Sequence, residues 1–169
     1  MIAIILAGGT GTRLWPYSRN LTPKQFLNIG SSQESLFQET SKRLESLVAS
    51  KNIYVVGADV HKDHLSKQIL QIFPDFPMEQ LLLEPFARNT APAILWSILR
   101  IPAINHNVPV VVLASDHLIK NLHSFNNALK IGERLASSGY IVTFGIKPDR
   151  AETGYGYIKS GESLDVGFK

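Results

Sequence analysis

The chain has 169 residues, 44% hydrophobic and 18% charged, which suits one soluble globular domain and excludes a disordered or low-complexity polymer. Seventeen basic against fourteen acidic residues leave a net charge of +3, compatible with an anionic small substrate, and the cations form no run of the kind that nucleic-acid binding calls for. The absence of cysteine excludes a disulfide framework; the N-terminus lacks a basic n-region and its apolar run is too short for a signal peptide, and the longest apolar stretch, Val108–Ala114, is far below a membrane span, so the cytoplasm is the expected compartment and no membrane partner is expected.

The first apolar run, Ile2–Ala7, is short and β-branched, as a fully buried parallel strand is. It leads straight into Gly8-Gly9-Thr10-Gly11-Thr12-Arg13-Leu14-Trp15-Pro16. Glycines at 8, 9 and 11 remove the Cβ atoms that would keep a phosphate away from backbone N–H groups. Arg13, and Lys24 of Pro23-Lys24-Gln25-Phe26, add cations within reach of the loop. Together these residues describe a polyphosphate site at the end of a strand. A Walker loop is excluded, because no lysine follows the glycines until Lys24. A dinucleotide fingerprint is excluded too, because Leu14 stands where its third glycine belongs. The plain alternative is a tight turn without a ligand, and two neighbouring cations weigh against it.

Further along, Leu36, Leu44, Leu47 and Val48 follow a helical period, and Ile53–Gly57 reads as a second strand. His61-Lys62-Asp63-His64 has metal-like spacing, but its polar neighbours and the lack of a third ligand predict a solvated helix face. Leu65, Ile69, Leu70 and Phe73 mark the next helix, and Gln80–Glu84 a third strand. Asn89 then precedes Thr90-Ala91-Pro92, which opens a helix over Ala91–Ile101. Asn89 can donate and accept toward a base edge or a ribose, and the small Thr90 and Ala91 admit a flat ring. Simple helix capping by Asn89 or Thr90 is the competing account.

The fourth strand, Val108–Ala114, delivers Ser115-Asp116-His117. A carboxylate there suits Mg²⁺, which takes few protein oxygens and shares substrate phosphates; capping of the next helix is the alternative. That helix carries Phe125, Ala128, Leu129, Gly132 and Leu135 and stops near Ser138-Gly139. Tyr140–Gly145 and Tyr155–Lys159 read as fifth and sixth strands. In Glu152-Thr153-Gly154-Tyr155-Gly156-Tyr157, the glycines expose backbone to hydroxyl groups and Tyr155 offers an aromatic face to a sugar. A glycine-bent entry to a strand explains the same residues. Strands alternating with helices predict an α/β fold with a Rossmann-like, doubly wound, mostly parallel sheet, whose ligands bind outside the carboxyl ends of the strands.

In order and content, Leu6-Ala7-Gly8-Gly9-Thr10-Gly11-Thr12-Arg13-Leu14-Trp15-Pro16, Pro23-Lys24-Gln25-Phe26, Glu84-Pro85, Arg88-Asn89-Thr90-Ala91-Pro92-Ala93, Ser115-Asp116-His117 and Glu152–Ile158 resemble the sugar-phosphate nucleotidyltransferases. Trp15-Pro16, Pro-Lys-Gln-Phe and Arg-Asn-Thr-Ala-Pro-Ala are similar to its mannose-1-phosphate guanylyltransferase branch. The resemblance implies a nucleotide-diphospho-sugar transferase fold and guanylyl transfer from GTP to mannose 1-phosphate. By motif, Leu6, Ala7, Gly8, Gly9, Gly11, Thr12 and Arg13 would hold the triphosphate. Arg13 and Lys24 would stabilise its charge, Asn89, Thr90 and Ala91 would meet the nucleoside, Asp116 would bind Mg²⁺, and Gly154, Tyr155 and Gly156 would contact mannose. A Glu-Lys-Pro segment and a second metal-binding Asp of the family are expected beyond Lys169. Residues 1–169 are therefore expected to be the nucleotide-binding portion of a truncated domain, turning over poorly by itself. A nucleotide-binding module without catalysis, or a relative using another NTP, is the alternative, and a homo-oligomer is left open.

Overall fold

A computed structural model describes residues 1–9, 23–29, 33–86, 88–102, 107–164 and 166–168. These fall into two compact units, Met1–Leu122 and His123–Lys169.

In the first unit the order is β1 (Ile2–Leu6), α1 (Leu36–Lys42), β2 (Ile53–Ala58), α2 (Lys62–Ile72), β3 (Leu81–Glu84), α3 (Thr90–Arg100) and β4 (Val110–Ala114). All strand pairs are parallel, in the spatial order β3-β2-β1-β4. The chain thus steps outward from β1 to β2 to β3, then returns through α3 to pair β4 with the other side of β1. That reversal makes the carboxyl ends of β1 and β4 a topological switch point.

Alternation along the strands divides the core into two layers. Ile2, Ile4, Leu6, Tyr54, Val56, Leu82, Val110 and Val112 cluster with Ala93, Trp96 and Ile101 of the α3 region. Residues of opposite parity, including Ala3, Ile5, Val55 and Val111, are buried on the other face. There α1 and α2 pack on each other, and α2 on β2 and β3, burying Phe37, Leu65 and Ile69. Gly57 belongs to this layer: a Cβ there would collide with Leu65 Cδ1. Among the described residues no helix is long and apolar enough to cross a membrane.

Several expectations need correction. Helix α1 ends at Lys42 rather than carrying Leu44, Leu47 and Val48 in one α-helix; the chain continues as tight turns, with Leu44 N bonded to Ser41 O and Leu47 N to Leu44 O. Its start is encoded by a capping box, Ser35 accepting from Gln38 N while the Gln38 side chain accepts from Ser35 N. Neither Tyr140–Gly145 nor Tyr155–Lys159 forms a strand. Ile141 is fully exposed, and Phe144 fills the space over Gly132 of α4 (Leu122–Ser137). A β-prone run becomes a strand only with a ladder partner, and these runs find none among the described residues. Helix α4 itself stops where expected, at Gly139 with φ +89°.

Candidate functional site

The registers Leu6↔Val56, Leu6↔Ala114 and Ala58↔Glu84 bring the carboxyl ends of all four strands to one edge of the sheet. Ala7 N continues the ladder to Val56 O at 2.7 Å, and Ser115 N donates to Leu6 O at 3.0 Å. Gly8 and Gly9 therefore emerge beside Ser115-Asp116. Among the described residues no partner is found for the N–H groups of Gly8 and Gly9. Residues 10–22, with Gly11, Thr12 and Arg13 among them, lie outside the described residues.

The two glycines differ in their surroundings. A Cβ on Gly8 would stand 3.0 Å from Glu84 Oε2, so the carboxyl of β3 reaches across the end of β2 to the loop. Glu84 shares its face with Leu82 and so lies on the α3 side, where burial pushes its carboxyl above the usual range. A Cβ on Gly9 would meet nothing within 4 Å, and its φ is not in the left-handed region. Among the described residues, neither packing nor backbone conformation requires a glycine at 9.

Four long-range bonds, made by three side chains, hold this edge together. Lys24 Nζ lies 3.3 Å from Asp116 Oδ2, joining two residues 92 apart in sequence. Both side chains are about a third or more exposed, so the pair contributes less than ~1 kcal/mol. Asp116 lies well before α4 begins at Leu122, and its carboxylate faces a cation rather than capping a helix. Buried Arg43 donates from Nη2 to His117 O at 2.6 Å, fixing the turn that carries Asp116. Burial lowers the guanidinium's pKa, and Glu39 at 3.9 Å opposes that shift. Gln25 donates from Nε2 to Ala7 O at 3.0 Å and to Gly9 O at 2.9 Å.

The short helix Lys24–Phe26 is seated by buried Pro23 and by Phe26, whose ring stacks on His64 at 5.1 Å and meets His61 and Phe37 edge-on. The expected solvated face holds at Lys62, Asp63 and His64, which are exposed, and fails at His61. His61 is buried behind Phe26, and no group of three or more His, Cys, Asp or Glu that could hold a metal occurs among the described residues.

Asn89 occupies the N-cap position of α3 yet makes no side-chain capping bond. Its φ 70° and ψ −179° fall where essentially only glycine is at ease. Asn89, Thr90 and Ala91 are exposed at the end of α3 that follows the carboxyl end of β3. In the second unit, Gly154 N donates to Glu152 Oε1, and the Tyr157 hydroxyl both accepts from Glu152 N and donates to Glu152 O. A cleft of about 500 Å³ there is lined by Asp149, Arg150, Glu152, Tyr155 and Tyr157. Gly156 lies in the same exposed loop.

The nucleotidyl transferase family model matches residues 2–167. The chain belongs to that family. It is 41% identical over 164 residues to the mannose-1-phosphate guanylyltransferase of Klebsiella pneumoniae, covering 97% of this chain and 34% of that protein. The mannose-1-phosphate guanylyltransferase RfbM of Salmonella typhimurium is 43% identical, covering 96% and 34%. A solved structure from Thermus thermophilus, described as a mannose-1-phosphate geranyltransferase, superposes with a TM-score of 0.82 at 32% identity. It is covered over 46% of its length, against 96% of this chain. The chain spans about a third of the length of these curated relatives.

Gln25, Glu84 and Arg43 are the residues that sequence reasoning left without a role. Gln25 and Glu84 stood inside quoted motifs, a signal that was available. Arg43 had none, since a basic residue at the end of a helix is ordinary.

Proposed function

We propose that this chain builds the nucleotide site of a guanylyl transfer from GTP to mannose 1-phosphate, giving GDP-mannose and pyrophosphate. The observation that carries the reading is Gly9, where a Cβ would meet nothing within 4 Å among the described residues, at the switch point of the sheet with Lys24–Asp116 beside it. The likeness to mannose-1-phosphate guanylyltransferases supports this choice of substrates.

A phosphate oxygen of mannose 1-phosphate attacks the α-phosphorus of GTP in line. The new P–O bond forms as the bond from the α-phosphorus to the bridging oxygen breaks, and pyrophosphate departs with that electron pair. The protein's part is positioning and charge stabilisation. Gly8 and Gly9 offer backbone N–H groups to the triphosphate, together with Leu6, Ala7, Gly11, Thr12 and Arg13 of the same motif. Lys24 exchanges part of its attraction to Asp116 for the phosphates. Asp116 is the carboxylate that would hold Mg²⁺, a cation satisfied by one or two carboxylates plus substrate oxygens, which when bound neutralises phosphate charge. Asn89, Thr90 and Ala91 meet the nucleoside. Gly154, Tyr155 and Gly156 keep the sugar role that their motif implies.

Glu84 favours guanine on chemical grounds. An ionised carboxylate only accepts hydrogen bonds, and guanine presents N1–H and N2–H side by side. Glu84→Gln, tested by titrating GTP, ITP and ATP, should reduce the preference for GTP over ITP, which lacks the 2-amino group, by about tenfold. An unchanged preference would remove Glu84 from base selection. Release of pyrophosphate from GTP only with mannose 1-phosphate present tests the reaction itself. Release with glucose 1-phosphate and UTP instead would assign another member of the family.

A further inference from the structure

We infer that Gln25 is the positioning residue that shapes the glycine loop, acting on the triphosphate only through the backbone of Ala7 and Gly9. This deepens the proposed function and rests on it for the identity of the ligand. The Gln25 side chain is 3% exposed, and one amide nitrogen reaches two carbonyl oxygens, Ala7 O at 3.0 Å and Gly9 O at 2.9 Å. Because both partners are acceptors, the group facing them must be the donor end of the amide, which fixes its orientation.

The two carbonyls flank Gly8. Tying both to one nitrogen turns them to the same side and fixes the backbone at each end of Gly8. In a trans peptide the N–H points opposite the C=O, so holding Ala7 O leaves the Gly8 N–H, which has no partner among the described residues, facing away from the tether. That is the pre-organisation an anion-binding loop needs. A glycine loop is conformationally loose, and fixing it before the ligand arrives removes an ordering cost from binding.

The tether is itself well founded. Pro23 is buried on one side of Gln25, and Phe26 on the other packs against Phe37, His61 and His64. Lys24, between them, points to Asp116 instead. Successive residues of one short turn thus send an ammonium to the acid and an amide to the loop.

The test uses the whole chain, with Gln25→Leu and Gln25→Glu. Leucine keeps the apolar bulk without a donor. A glutamate donates one hydrogen bond when protonated and none when ionised. Backbone ¹⁵N relaxation of the ligand-free wild type should give Gly8 and Gly9 order parameters near ~0.85, falling below about 0.6 in Gln25→Leu with β2 and α2 unchanged. In Gln25→Glu the same loss should appear at neutral pH and reverse on acidification, which a merely space-filling role would not produce. GTP affinity should fall about tenfold in Gln25→Leu while guanosine affinity changes less than about twofold.

Rigid Gly8 and Gly9 in both variants at neutral pH would overturn the inference. So would a loss of order spread evenly through β2 and α2. Should Gln25→Leu fail to fold, the pH reversal in Gln25→Glu decides alone. If the wild type binds no GTP, the functional reading falls, while the relaxation measurements still decide the tether.

Discussion

Gly9 and Gly57 lack side chains for different reasons, and the difference separates function from packing. At Gly57 a methyl group would strike Leu65 inside the layer between sheet and α2. Gly57→Ala should therefore destabilise the chain by about 1–3 kcal/mol, read as a lower denaturant midpoint. At Gly9 no described residue within 4 Å opposes a methyl group. Gly9→Ala should stay within about 0.5 kcal/mol of wild-type stability yet weaken GTP about tenfold or more, because the Cβ occupies phosphate space. Equal stability with unchanged GTP binding would reduce the loop to a simple turn. The glycines themselves were plain in the sequence; that one serves the core and another does not became visible only once Leu65 was placed.

His61 offers a pH test at the same scale. Burial is the main cause lowering its pKa, and the nearby charge of His64 adds to it. Its Nδ1 is buried without a hydrogen-bond partner among the described residues. The folded-state pKa thus lies below the unfolded value near ~6.5, and the unfolded chain binds more protons between the two. The contribution of neutral His61 is fully present above about pH 6.5 and is lost as pH falls through that window. Tm measured from pH 7.5 downward should fall more steeply for the wild type than for His61→Leu. Parallel slopes would contradict this.

At the scale of elements, α3 begins on a conformation that its sequence disguises. Asn89-Thr90-Ala91-Pro92 looks like an ordinary capped start, yet the Asn89 side chain makes no cap bond and its backbone lies in a glycine-like region. Such a conformation costs about 1–3 kcal/mol and is retained where surrounding structure or function demands it. Asn89→Gly should relieve the strain and stabilise the chain by about 1 kcal/mol in denaturant unfolding. The same variant should weaken nucleotide binding, because the amide is lost. Unchanged binding would assign Asn89 to the turn alone.

Periodicity sufficed for β1, β2, β3, β4, α2, α3 and α4, since each buries a face that its apolar spacing announces. It failed for Tyr140–Gly145 and Tyr155–Lys159, because strand formation depends on a neighbour that local sequence does not specify. The contacts of Gln25 with Ala7 and Gly9, and of Arg43 with His117, were equally hidden. They join segments that only the folded sheet brings together.

At the scale of the whole molecule, the sheet explains why residues scattered through the sequence act together. Parallel register puts every strand's carboxyl end on one edge, and the reversal after β3 opens that edge between β1 and β4. Gly8, Gly9, Lys24 and Asp116 meet there, and Glu84 reaches in from β3. The measurement that tests this account most directly is calorimetric titration of the 169-residue chain with GTP, and separately with guanosine, in the presence of Mg²⁺. The account predicts that GTP binds at least about tenfold more tightly than guanosine, with the excess lost in Gly9→Ala. Equal affinities for the two ligands, or an excess that survives Gly9→Ala, would contradict it.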